Sequence, residues 1–144
     1  MTETDRIIEI LGGPKSLGRQ VRTSQTLAPA VRQGISFRAV LNLKRLYEIP
    51  DEFAQRIIAV SARTWARRRA EDRLSPVESD RLYRLARIIA RTEEVFGTRE
   101  KAGIWLREPN RALGMQTPLA LLDTDEGTRR VEDVLIRIEH GVFS

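Results

Sequence analysis

Residues 50–76 read PDEFAQRIIAVSARTWARRRAEDRLSP, and the fold turns on this stretch. Pro50 suits a first helical position, and Asp51 and Glu52 behind it complement the positive end of a helix dipole. Phe53 to Ile58 then make a short helix, Ala59-Val60-Ser61 a turn, and Arg63 to Asp72 a second helix capped by Ser61. Two helices joined by a turn of about three or four residues describe a helix-turn-helix, whose second member enters the DNA major groove. The motif spans about residues 50–73. A tight turn asks for a small residue at Ala59, where many such motifs carry glycine, and Val60 is expected to face inward. Many also have a small residue where Gln55 stands.

Arginines occupy 63, 67, 68, 69 and 73, four of them between 63 and 69. On a helix starting near Ala62, Trp65 points away from Arg63 and Arg67 into the angle between helices, as a core residue. That leaves Arg63, Thr64, Arg67 and Arg68 free to meet a groove. Arginine binds guanine bidentately, and threonine reaches a phosphate or a thymine methyl. Ser61 exposes backbone N–H groups that suit a phosphate. Arg69 and Arg73 fall toward the flank.

Charge supports this reading and divides the chain. The net charge is +5 over 144 residues. Residues 1–92 hold 18 Lys/Arg and 10 Asp/Glu, and residues 93–144 hold 7 and 10, so the halves carry +8 and −3. A polyanion is the expected partner of the first half and something else of the second. The chain has no cysteine and one histidine, which excludes disulfides and argues against a zinc site; no metal or cofactor is expected. No apolar run approaches the roughly 18 residues of a membrane span, and the acidic start lacks the positive charge of an export signal. The expected location is the cytoplasm, with no membrane partner.

Helix periodicity and punctuation run through the remainder, so the expected fold is all-α. Ile7, Ile8, Ile10 and Leu11 precede a Gly12-Gly13 stop, and Leu17 and Val21 anchor a turn begun by Pro14. A helix over Gln25–Gln33 ends at Gly34, and Ser36 is expected to cap the next, whose face carries Phe37, Val40, Leu41 and Leu43 or Lys44. Ser75-Pro76-Val77-Glu78 is a capping box with proline at the first position. It opens the longest helix, to about Phe96, with Leu82, Leu85, Ile88 and Ile89 inward and Arg81, Arg84, Arg87 and Arg91 on another face. Gly97 ends it. Thr98, Thr117 and Thr124 start three further helices, the last carrying Val131, Val134, Leu135 and Ile138 as a core stripe before Gly141.

The run WLREPNRALGMQTPLALLDTDEGTRRVEDVLIRIEHGVFS, residues 105–144, resembles the toxin-binding C-terminal domain of Xre/MbcA/ParS-type antitoxins. The matching pieces are Trp105-Leu106, Pro109-Asn110, Ala112-Leu113-Gly114, Thr117-Pro118-Leu119, Leu121-Leu122, Gly127 and Arg137 to Val142. LGGPKSLGRQV (11–21), GISFRAVLNL (34–43), ARTWARRR (62–69) and LSPVESDRLYRLAR (74–87) look similar upstream. Met115 departs from the pattern, which usually has a second glycine there; a positive φ at that position would strain methionine.

The resemblance implies an Xre/Cro-like helix-turn-helix domain (1–92) followed by a small helical toxin-binding domain (93–144). It implies an antitoxin that works as a homodimer, binds operator DNA of its own operon, and denies a RES-domain toxin its substrate, NAD. Partner contact is then expected from the loops Leu113–Thr117 and Leu122–Gly127 and from the terminus, at Leu113, Gly114, Thr117, Leu122, Gly127, His140, Gly141, Val142 and Phe143. Val142 and Phe143 could plug the toxin pocket, with the terminal carboxylate imitating an anionic ligand group. Catalysis is not expected, because His140 stands alone and Asp123, Asp125 and Glu126 cluster only where a helix start favours acids. Two other readings are a repressor with no toxin partner, and an interaction module that does not bind DNA.

Overall fold

In the computed structural model, residues 1–141 are described, and among them the secondary structure is helical apart from turns and one isolated bridge between Asn110 and Gln116. The helices are α1 (Glu3–Ile10), α2 (Pro14–Leu17), α3 (Ser24–Gln33), α4 (Arg38–Tyr47), α5 (Asp51–Ile58), α6 (Ala62–Glu71), α7 (Pro76–Phe96), α8 (Arg99–Arg107), α9 (Pro118–Leu121) and α10 (Asp125–Glu139), with a 3-10 turn at Arg111–Leu113. The fold is all-α, as the periodicity predicts.

Side-chain caps fix most of the starts. Ser75 Oγ accepts from Glu78 N–H while the Glu78 carboxylate accepts from Ser75 N–H, closing the capping box. Ser61, Thr98, Thr117 and Thr124 accept from the N–H three residues on. α3 starts one residue earlier than expected, at Ser24 with Thr23 as its cap, and two further starts differ. Pro50 is the residue flanking α5 rather than its first member. Ser36 lies one residue before the start of α4, where Phe37 flanks the helix; the Ser36 hydroxyl instead accepts from Arg38 N–H and donates to Asp72 of the α6–α7 junction.

α7 is the axis of the molecule. Leu82, Leu85, Ala86, Ile88, Ile89 and Ala90 are buried on it, and it packs against α1, α3, α5, α8 and α10. A helix buried on most of its circumference needs apolar residues beyond a single stripe. One hydrophobic cluster therefore joins Ile7 and Leu11 of the N-terminal region, Phe37 and Leu43 of α4, Ile57 and Ile58 of α5, and Leu106, Leu119 and Leu135 of the C-terminal region. α7 passes through residue 92 without interruption.

The arginine face of α7 does not point at solvent as a free stripe. Arg81 donates to the Ile58 carbonyl at the end of α5, and Arg84 donates to the Leu122 carbonyl. Arg87 pairs with Glu132 at 3.5 Å and Arg91 with Glu139 at 2.8 Å, both on α10. These arginines staple neighbouring elements to the axis. No helix among the described residues is long and apolar enough to cross a membrane.

Candidate nucleic-acid interface and partner-binding surface

α5 and α6 form the helix-turn-helix, and its turn depends on Ala59, which adopts φ +65° and ψ +54°. This left-handed geometry explains why glycine is common at such a position; alanine holds it at a cost of about 1 kcal/mol. Val60 is half-buried and packs on the core, facing inward as expected. Trp65 is buried and meets Phe37 edge-on, with centroids 5.0 Å apart and planes at 82°. Such a pair adds about 0.5–1.5 kcal/mol beyond its area and fixes the roll of α6 against α4.

That roll decides which arginines are available. Arg63 and Arg67 are exposed, Thr64 is half-buried, and Ser61 is exposed at the N-terminus of α6, where its hydroxyl accepts from Thr64 N–H at 3.1 Å. Arg67 makes only a surface contact of 3.6 Å with Glu71 one turn on. Arg68 is not free, contrary to expectation. It lies on the Trp65 side of the helix and binds the Glu78 carboxylate with two hydrogen bonds, 2.7 Å from Nε and 3.1 Å from Nη2. Glu78 is buried. Burial works to raise its carboxyl, but the bonds from Arg68 and Ser75 and the positive charge of Arg68 outweigh it, leaving Glu78 below its usual range. Arg68 therefore fixes α6 to the start of α7.

The basic surface continues beyond α6. Arg38 of α4 pairs with Asp72, and Arg73 donates to the Gln33 carbonyl at 3.2 Å. Lys44 pairs with Asp51, and burial followed by repulsion from Arg69 holds it below the usual lysine range. The Ser36 hydrogen bond, opposed by partial burial and aided by Arg38, holds Asp72 below the usual carboxylate range. Arg38, Arg63, Arg67, Arg69 and Arg73 are among the exposed cations of this region.

The predicted partner-binding residues of the second half separate into two groups. Leu113 and Leu122 are each 1% exposed and belong to the core, so neither presents a side chain outward. Gly127 is buried in the first turn of α10, where a Cβ would stand 1.9 Å from the Leu121 carbonyl oxygen. It is a close-packing glycine rather than a contact residue. Leu113 and Leu122 sit on segments that pack against α10, a long-range arrangement that no local pattern encodes. Gly114, His140 and Gly141 are exposed, and Thr117 is half-buried with its hydroxyl capping α9. Val142 and Phe143 lie outside the described residues. Met115, inside the expected 113–117 loop, is exposed, and Ile104 and Ile136 are exposed apolar residues outside the expected contacts. For Ile136 a signal existed, since it lies off the core stripe of α10.

A basic helix-turn-helix carried on a long axial helix, with further short helices packed on that axis, places the chain among helix-turn-helix proteins. Residues 26–87 match the antitoxin Xre-like helix-turn-helix domain, and residues 91–141 match the antitoxin Xre/MbcA/ParS C-terminal toxin-binding domain. An antitoxin Xre from Yersinia enterocolitica is 32% identical over 145 residues, covering 99% of this chain and 94% of the relative. One from Photorhabdus laumondii is 35% identical over 91 residues, covering 62% of each chain. A Prs ADP-ribosylating antitoxin from a Sphingobium species is 35% identical over 80 residues, covering 49% of this chain and 50% of the relative. The chain belongs to the Xre/MbcA/ParS antitoxins.

Proposed function

We propose that this antitoxin neutralises a RES-domain toxin that degrades NAD, by covering the toxin's active site with the region from residue 93 onward. It acts by occupation rather than catalysis. The observation that carries this reading is the toxin-binding domain match over residues 91–141, in the half of the chain whose net charge is negative. ADP-ribosylation draws on NAD, so the name of the Sphingobium relative supports an NAD-consuming partner.

The same reading gives residues 1–92 a second task, repression of the antitoxin's own operon as a homodimer. Exposed Arg63 and Arg67 on α6, with the Ser61 helix start, support groove and phosphate contact. Two copies of α6 about 34 Å apart would read a two-fold operator.

The test is co-expression with the adjacent reading frame, purification through a tag on this chain, and an NAD assay on the released partner. The expected result is a co-purified toxin that consumes NAD only after the antitoxin is removed. Recovery of this chain alone, bound to its own promoter DNA, would sink the toxin reading and leave a simple repressor. Transfer of labelled ADP-ribose to a protein, rather than release of it, would replace degradation with modification.

A further inference from the structure

Residues 110–117 form a loop tied across itself. Asn110 N–H donates to the Gln116 carbonyl at 3.0 Å, and Met115 N–H donates back to the Asn110 carbonyl at 2.8 Å. Gln116 N–H reaches the Leu113 carbonyl at 3.3 Å, closing a four-residue turn, and Asn110 Oδ1 accepts from Ala112 N–H at 2.9 Å. Leu113 roots the loop in the core, and Thr117 starts α9. The backbone therefore has little freedom to relax.

Both central residues of this turn are left-handed: Gly114 has φ +67° and Met115 has φ +67°. Turns of this hand favour glycine, asparagine or aspartate at such positions. Gly114 fits, whereas Met115 sets its Cβ against its own backbone. Burial does not offset this, because Met115 is 62% exposed. Nor does charge draw the side chain to solvent, for Ala112 to Leu122 contains no ionisable residue in a chain that is 31% charged. A strained apolar residue held outward by an over-determined loop points to work done with something outside the chain.

We propose that Met115 is an anchor of the toxin-binding surface, entering an apolar pocket on the toxin and helping to set which toxin is accepted. The loop lies inside the matched toxin-binding domain, residues 91–141, which argues for the toxin as its occupant. An unbranched, polarisable thioether suits a pocket of irregular shape. The proposal rests on the toxin-neutralising reading above.

The experiment compares the parent with Met115→Gly, Met115→Asn and Met115→Leu, measuring thermal midpoint and affinity for the toxin encoded by the adjacent reading frame. Glycine and asparagine relieve the strained φ, so their midpoints should rise by about 2–6 °C. Losing an anchor should weaken toxin binding by about tenfold or more. Leucine keeps apolar bulk and should bind within about threefold of the parent. Opposite signs in stability and affinity cannot come from a structural role. Parent-like affinity in the glycine and asparagine variants would overturn the proposal, as would a fall in their midpoints. A parent chain that binds no toxin would instead overturn the reading on which it rests.

Discussion

Three left-handed residues within or flanking the helix-turn-helix are not glycine: Glu48, Ala59 and Asp72. Each ends a helix, and each trades backbone strain for something a glycine lacks only where its side chain is used. The Asp72 carboxylate binds Ser36 and Arg38. The Ala59 methyl is exposed. Ala59→Gly should therefore raise stability by about 1 kcal/mol, read as a higher urea midpoint, with operator affinity unchanged. A lower midpoint would show that the unfolded-state entropy of glycine outweighs the relieved strain. Glu78 makes the pH-dependent prediction. Its folded-state carboxyl lies below its ordinary 4.5, so as pH falls the unfolded chain takes up the proton first. Its contribution is present above that value and is lost as pH drops through the folded pKa. Urea melts between about pH 6 and pH 3 should show the parent losing more stability than Glu78→Gln. Equal losses would mean that the Arg68–Glu78 pair contributes nothing to the titration.

At the scale of elements, α6 is the informative case. Its arginines look equivalent in sequence, yet packing divides them into exposed residues at 63, 67 and 69 and one at 68 that ties α6 to α7. The prediction follows that division. Arg63→Ala and Arg67→Ala should each weaken operator binding about tenfold or more, flatten its salt dependence, and leave toxin binding and melting unchanged. Arg68→Ala should instead lower the melting midpoint, because it strands the buried Glu78 carboxylate. Operator binding unaffected by both exposed substitutions would remove α6 from the groove. The helix starts were largely legible, since Ser, Thr and Pro act through bonds to residues at most three positions away. Arg68 was not, because its partner stands ten residues on, at the start of another helix, and exposure cannot be read from helical period when two helices share a junction.

For the whole molecule, the two charged halves are joined by more than α7. Glu93 of α7 accepts from Tyr47 at 3.1 Å and pairs with Arg6 of α1 and with Arg99 of α8. Burial first, then the charge of Glu93, pushes the Tyr47 phenol well above its ordinary range. Arg107 of α8 donates to the Tyr47 carbonyl at 2.6 Å, and Arg56 of α5 reaches Asp123 at 3.5 Å. With the shared apolar cluster, these contacts predict one cooperative unfolding transition. Trp65 in α6 and Trp105 in α8 make this measurable: fluorescence melts of Trp65→Phe and Trp105→Phe should agree in shape with each other and with circular dichroism of the same variant. Separate transitions would mean two independently folding units.

Sequence alone is enough for the all-α class, the positions of nearly every helix start, the helix-turn-helix between about residues 50 and 73, and the core faces of α7 and α10. It also carried the family resemblance, through motifs concentrated after residue 105. All of these rest on interactions within a few residues, or on the period of one helix. Which side chains remain available depends on the packed fold. It withdrew Leu113, Leu122 and Gly127 from the partner surface, spent Arg68 and the α7 arginines on neighbouring helices, and left Met115 outward on a strained turn. Availability depends on which faces meet across the chain, and that is settled by packing around α7 rather than by any local pattern.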